Sequence, residues 1–424
     1  MTRPGSAAAE PRAGPRVAFF PDCYGEVDGV ANTARQFAAF CRRRGLPMLT
    51  VCGGDEDLIE REGNFTRLVL GRGPVAFPID SRHTFDLAFW RHYRRAEAEV
   101  RGFQADLVHV TGPSDVGQLG ALVAHNLRIP LAASWHTNLH EYAEQRAAAV
   151  LSWCPGLLRS PLGQAIRQLS LGALLRFYQM AGLLFAPNEE LIELLKEGTG
   201  QPCYPMRRGV DATLFDPRRR TRADERFVLG YVGRLTTEKS IRVLPDLERA
   251  LEQAGLKNFR FQIVGQGAER PWLQSRMRHA DFAGVLHGVR LAEAYANMDV
   301  FVFPSRTDTY GNVILEALAS GVPAIVTDSG GPRFIVRSGE TGFVAQDLDA
   351  FVEHVTRLAI MPELLDHMGR QAREYALSAS WDAVFESVYS RYDQWLSSWG
   401  VEKHAAVGVE GIRRASSSSH QAIS

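Results

Sequence analysis

Short apolar runs alternate with helical patterns through the first half of the chain. The runs of strand length lie at 17–20, 48–52, 67–70, 107–110, 131–135 and 183–186. A helical pattern at 31–44 separates the first two runs, and a strand, a helix and a strand within about 35 residues predict a right-handed parallel crossover. We therefore expect residues 16–203 to form a doubly wound α/β domain.

The alternation stops at 204–226, a segment rich in Arg, Asp and Pro that we interpret as an interdomain connection. It restarts with predicted strands at 227–232, 259–264, 285–287 and 300–303 and predicted helices at 241–254, 270–278 and 291–297. A second α/β domain is thus expected at 227–380. The amphipathic pattern at 381–399 is typical of a last helix, whereas residues 1–15 and 400–424 lack the periodicity to pack and are predicted to be disordered.

Composition narrows the class of protein. With 424 residues, of which 45% are hydrophobic, the chain can bury large cores. Its formal net charge is zero, so no global field attracts nucleic acid, and we expect no nucleic-acid partner. The five cysteines are odd in number and form no C-x-x-C pair, which favours a reducing, cytoplasmic location. No signal peptide and no apolar run of roughly 18 residues is found.

The stretch 299–332 concentrates the features of a ligand site. An apolar strand at 300–303 is followed by the polar loop 305–312 and a helical pattern that Gly321 ends. The carboxyl end of a strand and the start of the next helix are where open α/β sheets bind ligands, because free N–H groups favour anions there. Main-chain N–H groups of Tyr310, Gly311 and Asn312 are candidates to reach a phosphate.

Charged residues around the predicted strands admit two interpretations each. Arg234 and Lys239 follow the first strand of the second domain, where they suit either a diphosphate or a solvated surface. Asp308 and Glu316 lie about two helical turns apart, and paired carboxylates can do acid–base work. His136 follows the strand at 131–135, and a single histidine in such a place is more often structural than functional.

Several motifs in a fixed order nevertheless carry a resemblance. They are Arg234-Leu235 with Glu238-Lys239, the Val264-Gly265-Gln266-Gly267 turn, Phe303-Pro304-Ser305, Asp308 with Glu316, and Gly330-Gly331-Pro332. Over roughly residues 16–399 the chain resembles retaining glycosyltransferases of family 4, and its motif wording resembles bacterial GDP-mannose-dependent α-mannosyltransferases and sulfolipid synthases. The resemblance implies the GT-B fold: two doubly wound Rossmann-like domains facing a cleft, with the C-terminal helix crossing back to the N-terminal domain.

The resemblance also implies roles for individual residues. Arg234 and Lys239 would hold the donor diphosphate, Asp308 the sugar hydroxyls and Glu316 the ribose, while His136 would face the donor sugar. The catalytic candidates among them are His136, Arg234, Lys239 and Asp308. The remaining predicted donor-binding positions are Gly29, Val30, Gly265, Thr309, Tyr310, Gly311, Asn312 and Val313. Asp28 replaces the first glycine of the family's Gly-Gly-Val loop, and Ser240 stands where the family usually has glycine, which alters the loop if a positive φ is needed there.

The expected reaction moves a hexosyl group, mannose from GDP-mannose, to an acceptor hydroxyl with retention, and needs no metal or other cofactor. Neither the acceptor, for which a glycolipid or phospholipid is one option, nor the oligomeric state follows from the sequence. Two alternatives stay open: a nucleotide-sugar 2-epimerase on the same fold, and a nucleotide-sugar-binding protein without catalysis. Epimer formation from a nucleotide sugar alone would favour the first, and nucleotide-sugar binding without hydrolysis or transfer would favour the second.

Other patterns are weaker. The D-x-D triplets at 55–57 and 347–349 have metal-binding spacing but follow no convincing strand end in a cleft. Gly265-x-Gly267 lacks the third glycine of a dinucleotide fingerprint. Residues 145–188 contain four arginines and no acidic residue, which leaves peripheral binding at the inner face of the membrane and ordinary helix packing about equally open.

Overall fold

Two parallel sheets, one in each half of the chain, organise the molecule. The computed structural model describes residues 14–25, 29–78, 84–136 and 156–418. The first sheet has the strand order β10-β9-β8-β7-β1-β2-β4-β3, in which all neighbours are parallel except the edge strand β3. Its strands are β1 (Val17–Phe20), β2 (Met48–Gly54), β3 (Leu58–Glu62), β4 (Phe65–Gly71), β7 (Leu107–Val110), β8 (Leu131–Ser134), β9 (Leu183–Ala186) and β10 (Cys203–Pro205). A separate two-stranded sheet pairs β5 (Ala76–Pro78) with β6 (Thr84–Asp86) in antiparallel fashion.

Helices cover both faces of this sheet. They are α1 (Gly29–Arg44), α2 (Tyr93–Phe103), α3 (Asp115–Leu127), α4 (Gly156–Tyr178) and α5 (Glu189–Thr199). Ser114 and Asn188 start α3 and α5 by accepting main-chain N–H bonds with their side chains. Strand order reverses on the two sides of β1, so the carboxyl ends of β1 and β7 border the crevice of this domain.

The second sheet is entirely parallel, in the order β13-β12-β11-β14-β15-β16. Its strands are β11 (Phe227–Val232), β12 (Phe259–Val264), β13 (Ala280–Gly284), β14 (Val300–Phe303), β15 (Ala324–Thr327) and β16 (Gly342–Ala345). The helices are α6 (Leu244–Gln253), α7 (Arg270–Gln274), α8 (Gly288–Ala296), α9 (Asn312–Ala319), α10 (Leu348–Ile360) and α11 (Pro362–Ser378). This is the strand order of a doubly wound α/β domain, and the direction of the order reverses between β11 and β14.

The last helix, α12 (Trp381–Ser418), crosses back to the first domain, which confirms the predicted architecture. Phe385 and Tyr392 of α12 are fully buried in one cluster with Phe37 and Phe40 of α1. The ring centroids of Phe37 and Phe385 are 4.6 Å apart in a stacked arrangement. Burial of these aromatic rings fastens the end of the chain to the first domain.

Several predicted boundaries differ from the structure. The strand predicted at 285–287 is wrong: β13 ends at Gly284, whose left-handed φ of +73° stops the strand. The predicted helix at 241–254 starts with a 3-10 turn and becomes α-helical at Leu244, next to Pro245. The helix predicted at 270–278 ends at Gln274.

The limits of the first domain and of the last helix also shift. Residues 204 and 205, assigned to the connection, belong to β10, where Tyr204 pairs with Phe185 of β9. The helix predicted to end at 399 continues to Ser418, because the segment after it contains no proline and several good helix formers. That part of the predicted disordered tail is therefore helical, while residues 1–13 and 419–424 lie outside the described residues. Among the described helices, none is long and apolar enough to cross a membrane.

Candidate active site

The site residues predicted in the second domain meet at the carboxyl edge of its sheet. Arg234 and Lys239 follow β11, Gly265 follows β12, and the loop 305–312 follows β14. Because the sheet order reverses between β11 and β14, a crevice forms at their carboxyl ends, which is where open α/β sheets bind ligands. The fold thus gathers the predicted donor residues around one crevice.

An ion pair between Lys239 and Asp308 joins the two sides of this crevice. Nζ of Lys239 donates to Oδ1 of Asp308 over 2.5 Å, and both side chains are less than one-fifth exposed. The other carboxylate oxygen, Oδ2, is buried and has no hydrogen-bond partner among the described residues. A buried acceptor left without a donor is unfavourable by about 1–3 kcal/mol. Oδ2 of Asp308 is therefore suited to accept a hydrogen bond from a ligand hydroxyl.

Arg234 supplies a second cation on the β11 side. Its guanidinium pairs with Glu238 and stays 35% exposed. The hydroxyl of the buried Tyr231 donates to the main-chain oxygen of Arg234 over 3.0 Å, so the backbone is anchored while the cation faces solvent. A guanidinium and an ammonium group together make strong, charge-assisted hydrogen bonds to phosphate oxygens.

The start of α9 offers main-chain donors on the β14 side. Gly311 precedes the helix with φ +107°, a conformation that glycine adopts most easily, and no side chain of the described residues caps the helix there. The first N–H groups of an uncapped helix attract anions. The side chains of Tyr310 and Val313 pack in the domain core, and burial raises the pKa of the Tyr310 hydroxyl, so these two positions and Asn312 can contribute through the main chain.

The Gly330-Gly331-Pro332 turn supports the loop from behind. The N–H of Gly331 donates to the main-chain oxygen of Asp308 over 2.7 Å. A Cβ at Gly331 would lie 2.0 Å from the oxygen of Thr309, so only glycine fits. The turn belongs to the site because it holds the main chain that carries Asp308.

Gly265 and Gly267 are also needed for the close packing of two main-chain segments. A Cβ at Gly265 would lie 1.9 Å from the oxygen of Gly233, and one at Gly267 would lie 2.2 Å from the oxygen of Leu235. The two glycines therefore let the β12 loop pack against the loop that carries Arg234. This close approach explains the Gly-x-Gly pair without a dinucleotide.

Glu316 lies one helical turn inside α9 with an altered acidity. Burial raises the pKa of its carboxyl group to about 7, while the hydrogen bond from Tyr295 lowers it. The Tyr295 hydroxyl donates to Oε2 of Glu316 over 2.8 Å from the neighbouring helix α8. The ring of Tyr295 is fully buried, so it fixes the direction in which the carboxylate points.

The first domain reaches this crevice through His136 and Asn188. Oγ1 of Thr309 donates to the main-chain oxygen of His136 over 3.1 Å. Nδ2 of Asn188, the residue that caps α5, donates to the main-chain oxygen of Thr309 over 2.8 Å. His136 is buried, and desolvation, together with the nearby charge of Arg208, holds its pKa well below the usual value. The loop after β14 therefore contacts the carboxyl ends of two strands in the other domain.

Gly29 and Val30 begin α1 at the carboxyl end of β1, on the same edge of the first sheet as His136. Residues 26–28, with Asp28 among them, lie outside the described residues. The approach of this loop to a donor phosphate stays a prediction.

The acidic triplets have local structural partners. Asp57 accepts the main-chain N–H of Gly71 over 2.6 Å and pairs with Arg95, and Asp347 caps α10 by accepting the N–H of Ala350 over 2.9 Å. Within the described ranges, no group of three His, Cys, Asp or Glu side chains is arranged to hold a metal ion.

Part of the arginine-rich segment 145–188 can be located. Residues 145–155, including Arg146, lie outside the described residues. Leu174 and Tyr178 at the end of α4 are buried in the core of the first domain, whereas Leu169 and Arg176 are exposed. The described end of α4 therefore packs in the ordinary way on one side and leaves apolar and basic groups on the other.

Comparison with known proteins identifies the family. The model described as Glycosyltransferase Family 4 matches residues 27–213, and the one described as Glycosyl transferases group 1 matches residues 226–360. A GDP-mannose-dependent alpha-mannosyltransferase of Mycobacterium tuberculosis is 31% identical over 90% of this chain and 97% of the relative. The chain belongs to glycosyltransferase family 4. The sulfoquinovosyl transferase of Arabidopsis thaliana is 28% identical over 93% of this chain and 76% of its own length.

Solved structures agree on the fold of this glycosyltransferase. Sucrose-phosphate synthase from Thermosynechococcus elongatus superposes with a TM-score of 0.70 at 19% identity, covering 91% of this chain and all of the other. At that identity the likeness establishes the GT-B fold and no more. The comparisons do not favour the epimerase or the non-catalytic alternative.

Two residues that contact the site residues were not predicted: Asn188 and Tyr295. For Asn188 the sequence did hold a signal, since asparagine followed by two glutamates after an apolar strand is typical of a helix start. Tyr295 carries no such mark, because its contact with Glu316 depends on how α8 and α9 pack.

Ser240, which stands where the family usually has glycine, keeps a glycine-like backbone. It adopts the left-handed conformation with φ 52° and ψ 25°, directly after Lys239. A residue with a Cβ is disfavoured in that region by roughly 1–2 kcal/mol. The loop therefore retains the positive φ that a glycine would give it, at some strain.

We expect Ser240→Gly to raise the free energy of unfolding by about 0.5–1 kcal/mol, because relief of the strain exceeds the entropy that glycine loses. Urea unfolding of the enzyme measures the change. Ser240→Ala is the matched control, since it keeps the Cβ and should leave stability within a few tenths of a kcal/mol. Equal stabilities of the glycine and alanine variants would contradict the strain at this position.

Proposed function

We propose that this glycosyltransferase transfers mannose from GDP-mannose to an acceptor hydroxyl with retention of the anomeric configuration. The observation that carries the proposal is the crevice between β11 and β14, whose loops carry the cations of Arg234 and Lys239, an uncapped helix start and Oδ2 of Asp308, which has no hydrogen-bond partner among the described residues. The choice of donor rests on the relative from Mycobacterium tuberculosis, which is named as GDP-mannose-dependent.

Each group in the crevice is assigned to one part of a bound nucleotide sugar. Arg234 and Lys239 bind the diphosphate, with the main-chain N–H groups at the start of α9 on its other side. Glu316 accepts hydrogen bonds from the ribose hydroxyls. Asp308 accepts one from a hydroxyl of the sugar through Oδ2, while its other oxygen stays on Lys239.

The reaction follows from these positions. The bond between the anomeric carbon and the diphosphate oxygen breaks, and the acceptor oxygen bonds to the same face of that carbon. The acceptor proton passes to the departing phosphate oxygen. Negative charge grows on the diphosphate as the bond breaks, so Arg234 and Lys239 stabilise the transition state more than the bound substrate. His136 borders the sugar from the first domain, and the contacts of Thr309 with that domain limit the access of water.

For the acceptor we propose a hydroxyl of a glycolipid or phospholipid. Leu169 and Met180 are 75% and 58% exposed and give the first domain apolar surface at and just after the arginine-bearing helix α4. Such a surface on the helix that exposes Arg176 suits an acceptor held in an anionic membrane.

A thermal-shift panel of GDP-, UDP- and ADP-sugars tests the donor. Because a ligand that binds the folded state stabilises it, we expect GDP-mannose to raise the melting temperature most.

Lys239→Ala should weaken GDP-mannose binding about 10- to 100-fold, since it removes a charge-assisted hydrogen bond to the diphosphate. Turnover should fall by at least as much.

Lys257→Ala is the matched control, because it removes the same charge from an exposed site before the amino end of β12. It should leave the melting shift and the turnover unchanged. Full turnover by Lys239→Ala, or stabilisation by UDP- or ADP-sugars alone, contradicts the assigned donor site.

The pH dependence of donor binding tests Glu316. Its pKa is raised to about 7, and only the carboxylate accepts hydrogen bonds from both ribose hydroxyls. The dissociation constant of GDP-mannose should therefore rise as pH falls below about 7 and level off above it. In Tyr295→Phe the hydrogen bond that lowers this pKa is lost, so the midpoint should move to higher pH. Calorimetric titration between pH 5.5 and 8.5 measures both.

Glu316→Gln serves as the control for that profile, since an amide does not titrate and binding should be weak at every pH. If wild-type binding were independent of pH over this range, Glu316 would not bind the ribose as a carboxylate.

A transfer assay with radiolabelled GDP-mannose tests the acceptor class. With a total cell extract as acceptor source, label should move into the organic phase on solvent partition. Label found only in water-soluble products would exclude a lipid acceptor.

A further inference from the structure

A row of four buried polar side chains connects the last helix with the site histidine. Tyr392 of α12 hydrogen-bonds Nδ1 of His109 on β7. Nε2 of His109 lies 2.8 Å from Oγ of Ser134 on β8, and that oxygen lies 2.7 Å from Nε2 of His136. Tyr392, His109 and Ser134 are fully buried, and His136 is 5% exposed. The row runs through the interior of the first domain and ends at the cleft.

Strand geometry explains why these groups meet. Ser134 and His136 are two residues apart at the end of β8 and so point to the same face of the sheet. His109 lies on the adjacent strand, where its ring stacks on Phe185 with centroids 5.8 Å apart and meets Phe19 edge-on at 5.5 Å. Aromatic rings around the row leave it few competing hydrogen-bond partners.

Both histidines in the row are neutral at physiological pH. Burial lowers the pKa of His109 to about 3, and that of His136 is held well below its usual value. A neutral imidazole carries one N–H and one bare nitrogen, so each ring donates on one side and accepts on the other. The direction of every hydrogen bond in the row is therefore coupled to the next.

Only one direction of hydrogen-bond donation gives every proton between Tyr392 and His136 an acceptor. In it the Tyr392 hydroxyl donates to Nδ1 of His109, Nε2–H of His109 donates to Ser134, and Ser134 donates to Nε2 of His136. The proton of His136 is then on Nδ1. In the reverse direction the Tyr392 hydroxyl accepts from His109, and its own proton has no acceptor among the described residues. A buried hydroxyl whose proton has no acceptor is unfavourable, so this direction is disfavoured.

Nδ1 of His136 is the end of the row that lacks a partner. It is buried and makes no hydrogen bond within the described part of the chain. The main chain of the same residue contacts Thr309 of the donor loop, which places His136 where the two domains meet. An N–H at Nδ1 is thus a donor left available for a bound ligand.

We propose that Tyr392, through His109 and Ser134, holds the proton of His136 on Nδ1, so that His136 presents a neutral N–H donor to an oxygen of the bound sugar. The last clause rests on the proposed function, whereas the proton position does not. Tyr392, His109 and Ser134 are positioning residues, since they act on the substrate through His136. The helix that crosses back from the second domain thereby sets the protonation of a residue in the cleft.

Tyr392→Phe tests this relay, because it removes one hydroxyl and keeps the ring. Long-range proton–nitrogen correlation spectra of the full chain with labelled histidine report which ring nitrogen of His136 is protonated, with His136→Gln to assign its signals. In the wild type we expect Nδ1–H alone. In Tyr392→Phe a second population with the proton on Nε2 should appear. The kcat/KM for GDP-mannose, measured with a fixed amount of total cell extract as acceptor source, should fall about three- to tenfold, which corresponds to the loss of one hydrogen bond.

Tyr389→Phe is the matched control. Tyr389 lies on the same helix, is also buried, and its hydroxyl contacts Sγ of Cys41 over 3.2 Å instead of the row. It should leave the His136 spectrum and kcat/KM unchanged even if it lowers stability. Ser134→Ala breaks the row between the two histidines and should release the His136 proton as Tyr392→Phe does.

The proposal is overturned if wild-type His136 carries its proton on Nε2, or if Tyr392→Phe lowers kcat/KM while the His136 spectrum stays the same. The spectra require no sugar. A wild-type enzyme with Nδ1–H and a responsive variant, but with no binding of any nucleotide sugar, would refute the proposed function and leave the relay supported.

Discussion

The contacts of Thr309 join the two halves of the site. Its hydroxyl donates to the main chain of His136 and its carbonyl accepts from Asn188, so one residue of the loop after β14 contacts the ends of two strands in the other domain. The same loop is tied to its own domain by the pair of Lys239 with Asp308. These contacts help to hold the loop after β14 against His136 of the first domain.

Two supporting structures meet at that junction. Behind the loop, the glycine turn after β15 and the glycines after β12 allow main chains to approach more closely than any side chain would permit. Behind His136, a buried polar row extends to the crossing helix. The cleft is thus built from main-chain packing in one domain and from side-chain hydrogen bonds in the other. Preorganised groups of this kind need little rearrangement as charge develops during transfer.

The sequence was sufficient for those parts of the site that depend on local order. Apolar runs located most strands, and Lys239 and Asp308 lie after strand ends, where ligand sites were expected; the roles given to them and to Glu316 came from the family resemblance and stay predictions. Residues whose contacts depend on packing between distant elements could not be predicted: Tyr295 touches Glu316 only because α8 lies beside α9, and Tyr392 reaches His109 across 283 positions of sequence. The strand β13 was misplaced at 285–287 for a local reason, because none of its residues is fully buried and it lacks the continuous apolar run that marked the other strands.

A crystal structure of the enzyme with GDP-mannose and no acceptor tests the central claim most directly. We expect diphosphate oxygens within hydrogen-bond distance of Nζ of Lys239 and the guanidinium of Arg234, ribose hydroxyls on Glu316, and a sugar oxygen on Nδ1 of His136. A nucleotide bound outside the crevice between β11 and β14, or a diphosphate that contacts neither cation, would contradict the account.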